Sequence, residues 1–435
     1  MPKKIYRIKK FIIVLTLFSY HHSNCQDLKK VVQDNSHEIS INPEDSSFED
    51  LVYLKDAIKN ARVVILGEQD HGDGTTFLAK TRLVKFLHEK LGYNVLAFES
   101  DFISLDLAWA QVKDKKMSVK EAINGNVYPV WTKCLQCNGL FKYIEAQSVG
   151  LNPLNVTGFD SQITGVTAYF NLKKLLLDSL SHFTPLLFKA QNTYITNQID
   201  TAINLLRGRA KLKVAKPKEF YAAFIKSLSI IEGNLMREHP ENKMFTIFIK
   251  SIKSFHVQML HYLNGEDLKS GQERDQQMAH NLTWLMQEKY AKEKIIVWAA
   301  NGHIIKNYQA EINKKYNAPF SMGQILSRNP EVANQVYIIG FTGYTGISKR
   351  AFGSKRVFKI STPKKNSLES WINETKKENV FIDFLKLRSY EKYKNETFYM
   401  NFKNWFDEKS AWLNSYDGMI YINKISPCEV REGVK

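Results

Sequence analysis

No uncharged apolar run in this chain approaches the ~20 residues that a membrane-spanning helix needs. The longest, Phe11 to Phe18, is far too short. Cysteine is scarce, with four in 435 residues, so the fold cannot depend on a dense disulfide framework. Repeats and low-complexity tracts are absent, which excludes solenoids and propellers. The common chemical signatures are missing too. There is no Gly-x-Ser-x-Gly elbow, no phosphate-binding Gly-x-x-x-x-Gly-Lys, no dinucleotide Gly-x-Gly-x-x-Gly after a strand and no His-Glu-x-x-His helix. A serine nucleophile is therefore not the default, and no organic cofactor or metal is called for.

What is present is enough apolar material, 44% hydrophobic with 12% aromatic, for one large core. Lys and Arg exceed Asp and Glu by 17, and five of those cations (Lys3, Lys4, Arg7, Lys9, Lys10) precede the apolar run Phe11 to Phe18. A basic start, a short apolar stretch and a polar end at Ser23-Asn24-Cys25 form the layout of a signal peptide over residues 1–25. A periplasmic or secreted protein is the expectation; a lipid anchor on Cys25 is the lesser alternative, because His22-Ser23-Asn24 lacks the usual small residues. The densest later basic run, Arg207 to Lys218, has no interleaved aromatics and reads as a solvated linker, so no nucleic-acid partner is expected. Cys134, Cys137 and Cys428 remain in the exported chain. The Cys134-x-x-Cys137 spacing admits a local disulfide, a redox pair or half a zinc knuckle, and either cysteine could instead pair with Cys428.

After a polar segment at 26–50, the pattern becomes that of an α/β domain over 51–425, followed by a tail at 426–435. Ala61 to Leu66 reads as a buried strand, Thr76 to Leu91 as a helix closing on Gly92, and Asn94 to Phe98 as a second strand. Further strands are expected at Asn155–Phe159, Lys294–Ala299, Gln335–Phe341, Arg356–Ile360 and Gly418–Ile422. This order predicts a central, largely parallel sheet with flanking helices. The helical stretch at about 164–290 is expected to form a lobe over a cleft at the carboxyl ends of the strands.

Chemistry-bearing residues fall at those strand ends. Gly67-Glu68-Gln69-Asp70-His71-Gly72 places a carboxylate three residues before an imidazole, able to orient it while it takes a proton near neutral pH; a helix-capping loop built on Asp73 and Thr75 is the structural alternative. Glu99 closes a strand that looks buried on both faces, so it must be paired or protonated. His303 follows Asn301-Gly302 after another strand. Asp160 ends a fourth, and Arg274-Asp275 opens a helical stretch where Arg274 could clamp an oxygen. Asp101 is a candidate ligand contact or a helix-start residue.

Taken in order, Gly67–Gly72, Arg82, Ala97-Phe98-Glu99-Ser100-Asp101, Tyr128-Pro129-Val130-Trp131-Thr132, Gly158-Phe159-Asp160, Arg274–Asn281, Val297–His303 and Tyr416–Ile420 resemble the erythromycin esterase family from about residue 50 to 425. The resemblance implies metal-independent hydrolysis of a small-molecule ester, in known cases a macrolide lactone. It implies His71 as general base, Glu68 and Glu99 as its supports, and His303 and Arg274 as further catalytic contacts, with Trp131, Asp160, Asn301 and Asp101 near the substrate. The first histidine of the family's His-Asn-x-His segment is Ala300 here. Two rival readings use the same residues: a metal-dependent hydrolase or peptidase with Glu68, His71, Glu99 and His303 as ligands, and a non-catalytic envelope protein that sequesters a ligand.

Overall fold

The computed structural model describes residues 27–206, 216–307, 320–354, 356–402 and 405–430. The expected leader at 1–25 and most of the basic linker lie outside them.

The strands are β1 (His37–Glu38), β2 (Val63–Leu66), β3 (Tyr93–Asp101), β4 (Asn155–Asp160), β5 (Lys294–Trp298), β6 (Val336–Lys349), β7 (Val357–Ile360), β8 (Asn379–Asp383), β9 (Phe398–Asn401), β10 (Asp407–Ser410) and β11 (Gly418–Ile425). Nine of them form one sheet in the order β1-β8-β11-β6-β2-β5-β3-β4, with β7 paired to the far end of β6. The run from β11 to β4 is parallel throughout. Antiparallel β8 and β1 close one edge.

Successive side chains on a strand point to opposite faces, and the core divides accordingly. Val63, Ile65, Val95, Ala97, Ile295 and Val297 face one apolar cluster. Their neighbours Val64, Leu66, Leu96, Phe98, Ile296 and Trp298 face the other. All four residues of β2 are fully buried, as a strand covered on both sides must be. Removing each such aliphatic side chain from water contributes about 1.5–3 kcal/mol.

The helix Gly74–Leu91 covers the second face and ends on Gly92, whose φ of 70° accounts for a glycine at that stop. Between β4 and β5 the chain inserts the helices Val166–Phe183, Pro185–Leu206, Pro217–Glu238, Lys243–Leu263 and Asp267–Trp284. Their apolar stripes, including Leu172, Leu176, Phe224, Leu228, Phe248 and Met278, extend the first cluster into a lobe. No helix among the described residues is long and apolar enough to cross a membrane.

Several elements differ from the sequence reading. The segment read as merely polar begins with a helix over 27–34 that buries Leu28 and Val32, and β1 then joins the sheet edge. β6 continues past Phe341 to Lys349 because its far end pairs with β7. Short β8 had no place in the reading, although its Val380, Phe381 and Ile382 are fully buried. Of the open cysteine pairings, Cys134 bonds Cys428, at a Cα separation of 5.3 Å, and Cys137 is free and buried. The tail selects that pairing: Leu135 N donates to Glu429 O at 2.8 Å, laying Cys428 beside Cys134.

Candidate active site

The parallel strands deliver their following loops to one edge of the sheet. Backbone bonds continue past the strand ends: Ala299 N donates to Leu66 O, and Asn301 N to Glu68 O at 2.8 Å. The side chain of Asn301 meanwhile brackets the backbone of Phe341, donating to its carbonyl at 2.7 Å and accepting from its amide at 3.2 Å. Gly67 has no alternative in this packing, because a Cβ there would lie 2.0 Å from Asn301 Oδ1. Gly72 is likewise pressed against the backbone of Lys349 and Arg350, 2.5 Å from where its Cβ would stand.

Within this frame Glu68 is fully buried and three groups converge on its carboxylate. His71 Nδ1 lies 2.8 Å from Oε1, Trp131 Nε1 donates to the same oxygen at 3.0 Å, and Lys80 Nζ donates to Oε2 at 2.5 Å. Lys80 is itself fully buried and stands 4.1 Å above the Trp298 ring. Burial pushes its pKa down, and Glu68 opposes that shift. Trp131 also meets the His71 ring edge-on at 5.4 Å. Glu68 and Trp131 thus fix one ring nitrogen and the plane of the imidazole. The other nitrogen, Nε2, forms no hydrogen bond to the described residues.

Opposite stands a second histidine with its own carboxylate. His303 Nδ1 lies 2.9 Å from Asp275 Oδ1, which also accepts from Met322 N at 2.9 Å. His303 Nε2 lies 3.3 Å from Glu99 Oε1 and 3.3 Å from Arg274 Nη1. Arg274 Nη2 donates to Glu99 Oε1 at 3.0 Å and to Asp160 Oδ2 at 2.6 Å. Glu99 Oε2 accepts from Ala300 N at 2.9 Å.

These contacts set the charges. Burial would raise the Glu99 pKa, but His303, Arg274, His71 and the Ala300 amide overcome it and bring it down to about 2. Burial would lower that of His303, but Asp275 and Glu99 prevail over it and over Arg274, and it rises. Arg274 is likewise held charged, against burial, by Asp160 and Glu99. The result is a guanidinium, and an imidazole whose protonated form is favoured, set among three carboxylates.

Gln69, Asp70, His71, Ala300, Gly302, His303 and Arg350 line a cavity of about 200 Å³. His71 and His303 are each about one-fifth exposed, so both rings reach the opening. The two histidines, distant in sequence, therefore meet at one cleft, with Glu99 buried behind His303.

Not every candidate faces it. Asp101 accepts from the backbone N–H groups of Ser104, Thr164 and Gly165 at 2.9–3.0 Å, which makes it the helix-start residue rather than a ligand contact. Asn301 is consumed by Phe341, Asp160 by Arg274 and Trp131 by Glu68, and none of the three lines the cavity. Trp131 acts on His71 through Glu68, and Asp160 on His303 through Arg274. The helix Gly74–Leu91 is not capped by Asp73, whose side chain accepts from Asp70 N at 2.9 Å instead.

Lys80, Asp275 and Arg350 were assigned no role from sequence. Lys80 carried a readable signal, since it falls on the apolar stripe Phe77, Val84, Leu87, Leu91 of its helix, where an unpaired lysine would be costly. Asp275 stood beside a chosen arginine. Arg350, which grips Asp70 through Nε at 2.9 Å and Nη2 at 2.6 Å, had no local signal at all. Among the described residues, no three of His, Cys, Asp and Glu are grouped as metal ligands would be.

Comparison with known proteins gives one family. The erythromycin esterase family profile matches residues 88–425. YbfO of Bacillus subtilis (strain 168), whose hydrolase designation is provisional, is 28% identical over 414 residues, covering 90% of each chain. The erythromycin esterase type II of Escherichia coli is 21% identical over 445 residues, covering 92% of this chain and 98% of that one. Among solved structures, a succinoglycan biosynthesis protein superposes with a TM-score of 0.72 at 21% identity, covering 93% of this chain and 98% of its own. A mutant erythromycin esterase in its open conformation superposes with a TM-score of 0.64 at 15% identity, covering 91% and 98%. These identities carry the fold.

Proposed function

The chain belongs to the erythromycin esterase family of hydrolases, and from that premise we propose that it hydrolyses a carboxylic ester by attack of a water molecule that His71 activates. The observation that carries this reading is the buried Glu68 on His71 Nδ1, which leaves Nε2 unbonded beside the cavity. A carboxylate on one nitrogen keeps the proton there and makes the other nitrogen the base.

His71 takes one proton from water as the oxygen adds to the carbonyl carbon. The negative charge that builds on the carbonyl oxygen is met by His303, whose positive charge Asp275 and Glu99 sustain, with Arg274 behind it. Collapse breaks the carbon–oxygen bond to the alcohol, and the leaving oxygen receives the proton held by His71. A lactone would leave as an open hydroxy acid, one water heavier.

Macrolide lactones are the substrates that the family name suggests. The cavity of about 200 Å³ lies below the ~300–1,000 Å³ of typical small-molecule pockets. It suits the ester group and its neighbours, with the rest of a large ring bound outside it.

Incubation with a panel of macrolides and simpler esters, read by mass spectrometry, tests the reading. A gain of one water at the ester supports it; unchanged mass with measurable binding favours sequestration instead. Activity should survive chelation, and its loss, with recovery on adding zinc or manganese, would favour the metal-dependent alternative.

A further inference from the structure

The hairpin of β6 and β7 rises beside the cleft and is not used by the chemistry above. Lys349 N donates to Gly72 O, next to His71, at 3.3 Å, and Arg350 lines the cavity. The hairpin is therefore the lip of the opening.

Its register sorts its side chains. Ile347 is paired with Lys359 and Lys349 with Val357. All four are exposed, with Ile347 at 43% and Val357 at 56%. The intervening pair Ser348 and Phe358 and the neighbouring Ile360 fall on the other face, where Ser348 and Ile360 are buried and Phe358 half-buried. One face thus alternates aliphatic and cationic groups in two strands. At the turn Phe352 is 45% exposed, with Lys133 Nζ 4.6 Å from its ring centre. Arg356 lies over Phe358 in the same strand pair.

No acid within the hairpin balances these cations. The sequence contains no Asp or Glu between Glu331 and Glu369, an interval with seven Lys and Arg. Among the described residues, Arg350 is the one member of this group in an ion pair, with Asp70. Among those residues, Lys133, Lys349, Arg356 and Lys359 have no carboxylate within ion-pair distance. An ordinary solvated face would carry both signs and few large apolar groups.

We propose that this hairpin docks the protein on an anionic lipid surface, with the cleft opening at that surface. The cations match lipid phosphates, and Ile347, Val357 and Phe352 match the boundary between headgroup and acyl chain. A soluble polyanion would satisfy the lysines and leave the exposed aliphatic side chains without a purpose. The net positive charge, +17 for the whole chain and +12 without the five N-terminal cations, strengthens the attraction at longer range. The proposal stands whether or not the cleft hydrolyses esters.

Co-sedimentation of the full chain with vesicles tests it, comparing phosphatidylcholine alone with phosphatidylcholine containing roughly one-third phosphatidylglycerol. The variants are Lys349→Glu with Lys359→Glu, and Ile347→Ser with Val357→Ser. All four sites are exposed, and circular dichroism checks that the fold is kept. All forms share the basic N-terminal segment, so differences between them report the hairpin. Wild type should bind the anionic vesicles and not the neutral ones. The charge variant should bind at least about tenfold more weakly and the serine variant roughly fivefold. Absence of binding to anionic vesicles overturns the proposal, and so does equal binding by both variants. Unchanged binding by the serine variant, together with competition by soluble polyglutamate, would make the hairpin a site for soluble polyanions instead.

Discussion

Replacing Asp275 by Asn removes a negative charge from His303 while keeping an oxygen that accepts from both His303 Nδ1 and Met322 N. At a charge separation of ~4 Å and an effective dielectric near 20, such a pair interacts by about 4 kcal/mol. The His303 side chain is 19% exposed and Asp275 only 7%, so solvent screens part of this interaction. In the variant, burial and Arg274 would be opposed by Glu99 alone. If protonated His303 steadies the oxyanion, activity is present below its pKa and lost above it. The alkaline limb of the pH–rate profile should therefore move to lower pH, with the acidic limb unchanged, and activity on the alkaline side should fall. A pH-stat following acid release from any ester that the wild type turns over reads this directly. Stability supplies a second readout. A histidine whose pKa is raised on folding stabilises fully below its unfolded pKa, and that contribution disappears as pH rises through the folded value. Urea unfolding should thus show a wild-type advantage at pH 6 that shrinks by pH 9. Superimposable rate profiles, or a stability gap independent of pH, would refute the assigned role of Asp275.

Other variants separate chemistry from support. His71→Ala should lower the ester hydrolysis rate by roughly two to four orders of magnitude with little change in the unfolding midpoint, because the ring sits at the opening; near-normal turnover would remove it as the base. Lys80→Met leaves Glu68 buried without its cation and should cost about 3–5 kcal/mol in urea unfolding. The double variant Lys80→Met with Glu68→Gln should recover much of that loss, and failure to recover would mean that packing, not charge, holds Lys80. Cys134→Ser with Cys428→Ser opens a loop spanning a sequence separation of 294. It should cost about 2–4 kcal/mol, seen as a lower Tm than wild type under non-reducing conditions only.

Much of this protein was legible along the chain because its strands are short, apolar runs buried on both faces. Ala61–Leu66, Asn94–Phe98 and Lys294–Ala299 announced a parallel sheet, and the polar residues directly after them announced where the chemistry would gather. Glu68, Glu99 and His303 were found that way, since a carboxylate or an imidazole at the end of such a run must be partnered. The family resemblance covered the same positions and gave Arg274, already a candidate oxygen clamp, a catalytic role. Local pattern could not assign partners across the fold. It was tertiary packing that gave Asp101 to three backbone amides, Asn301 to Phe341, and Asp275 to His303. The same holds for the pairing of Cys134 with Cys428 and for the approach of Arg350 to Asp70, separated by 280 residues. Periodicity reports which face of an element is buried. Which groups meet there depends on strand order, and strand order is set by how the whole chain closes its core.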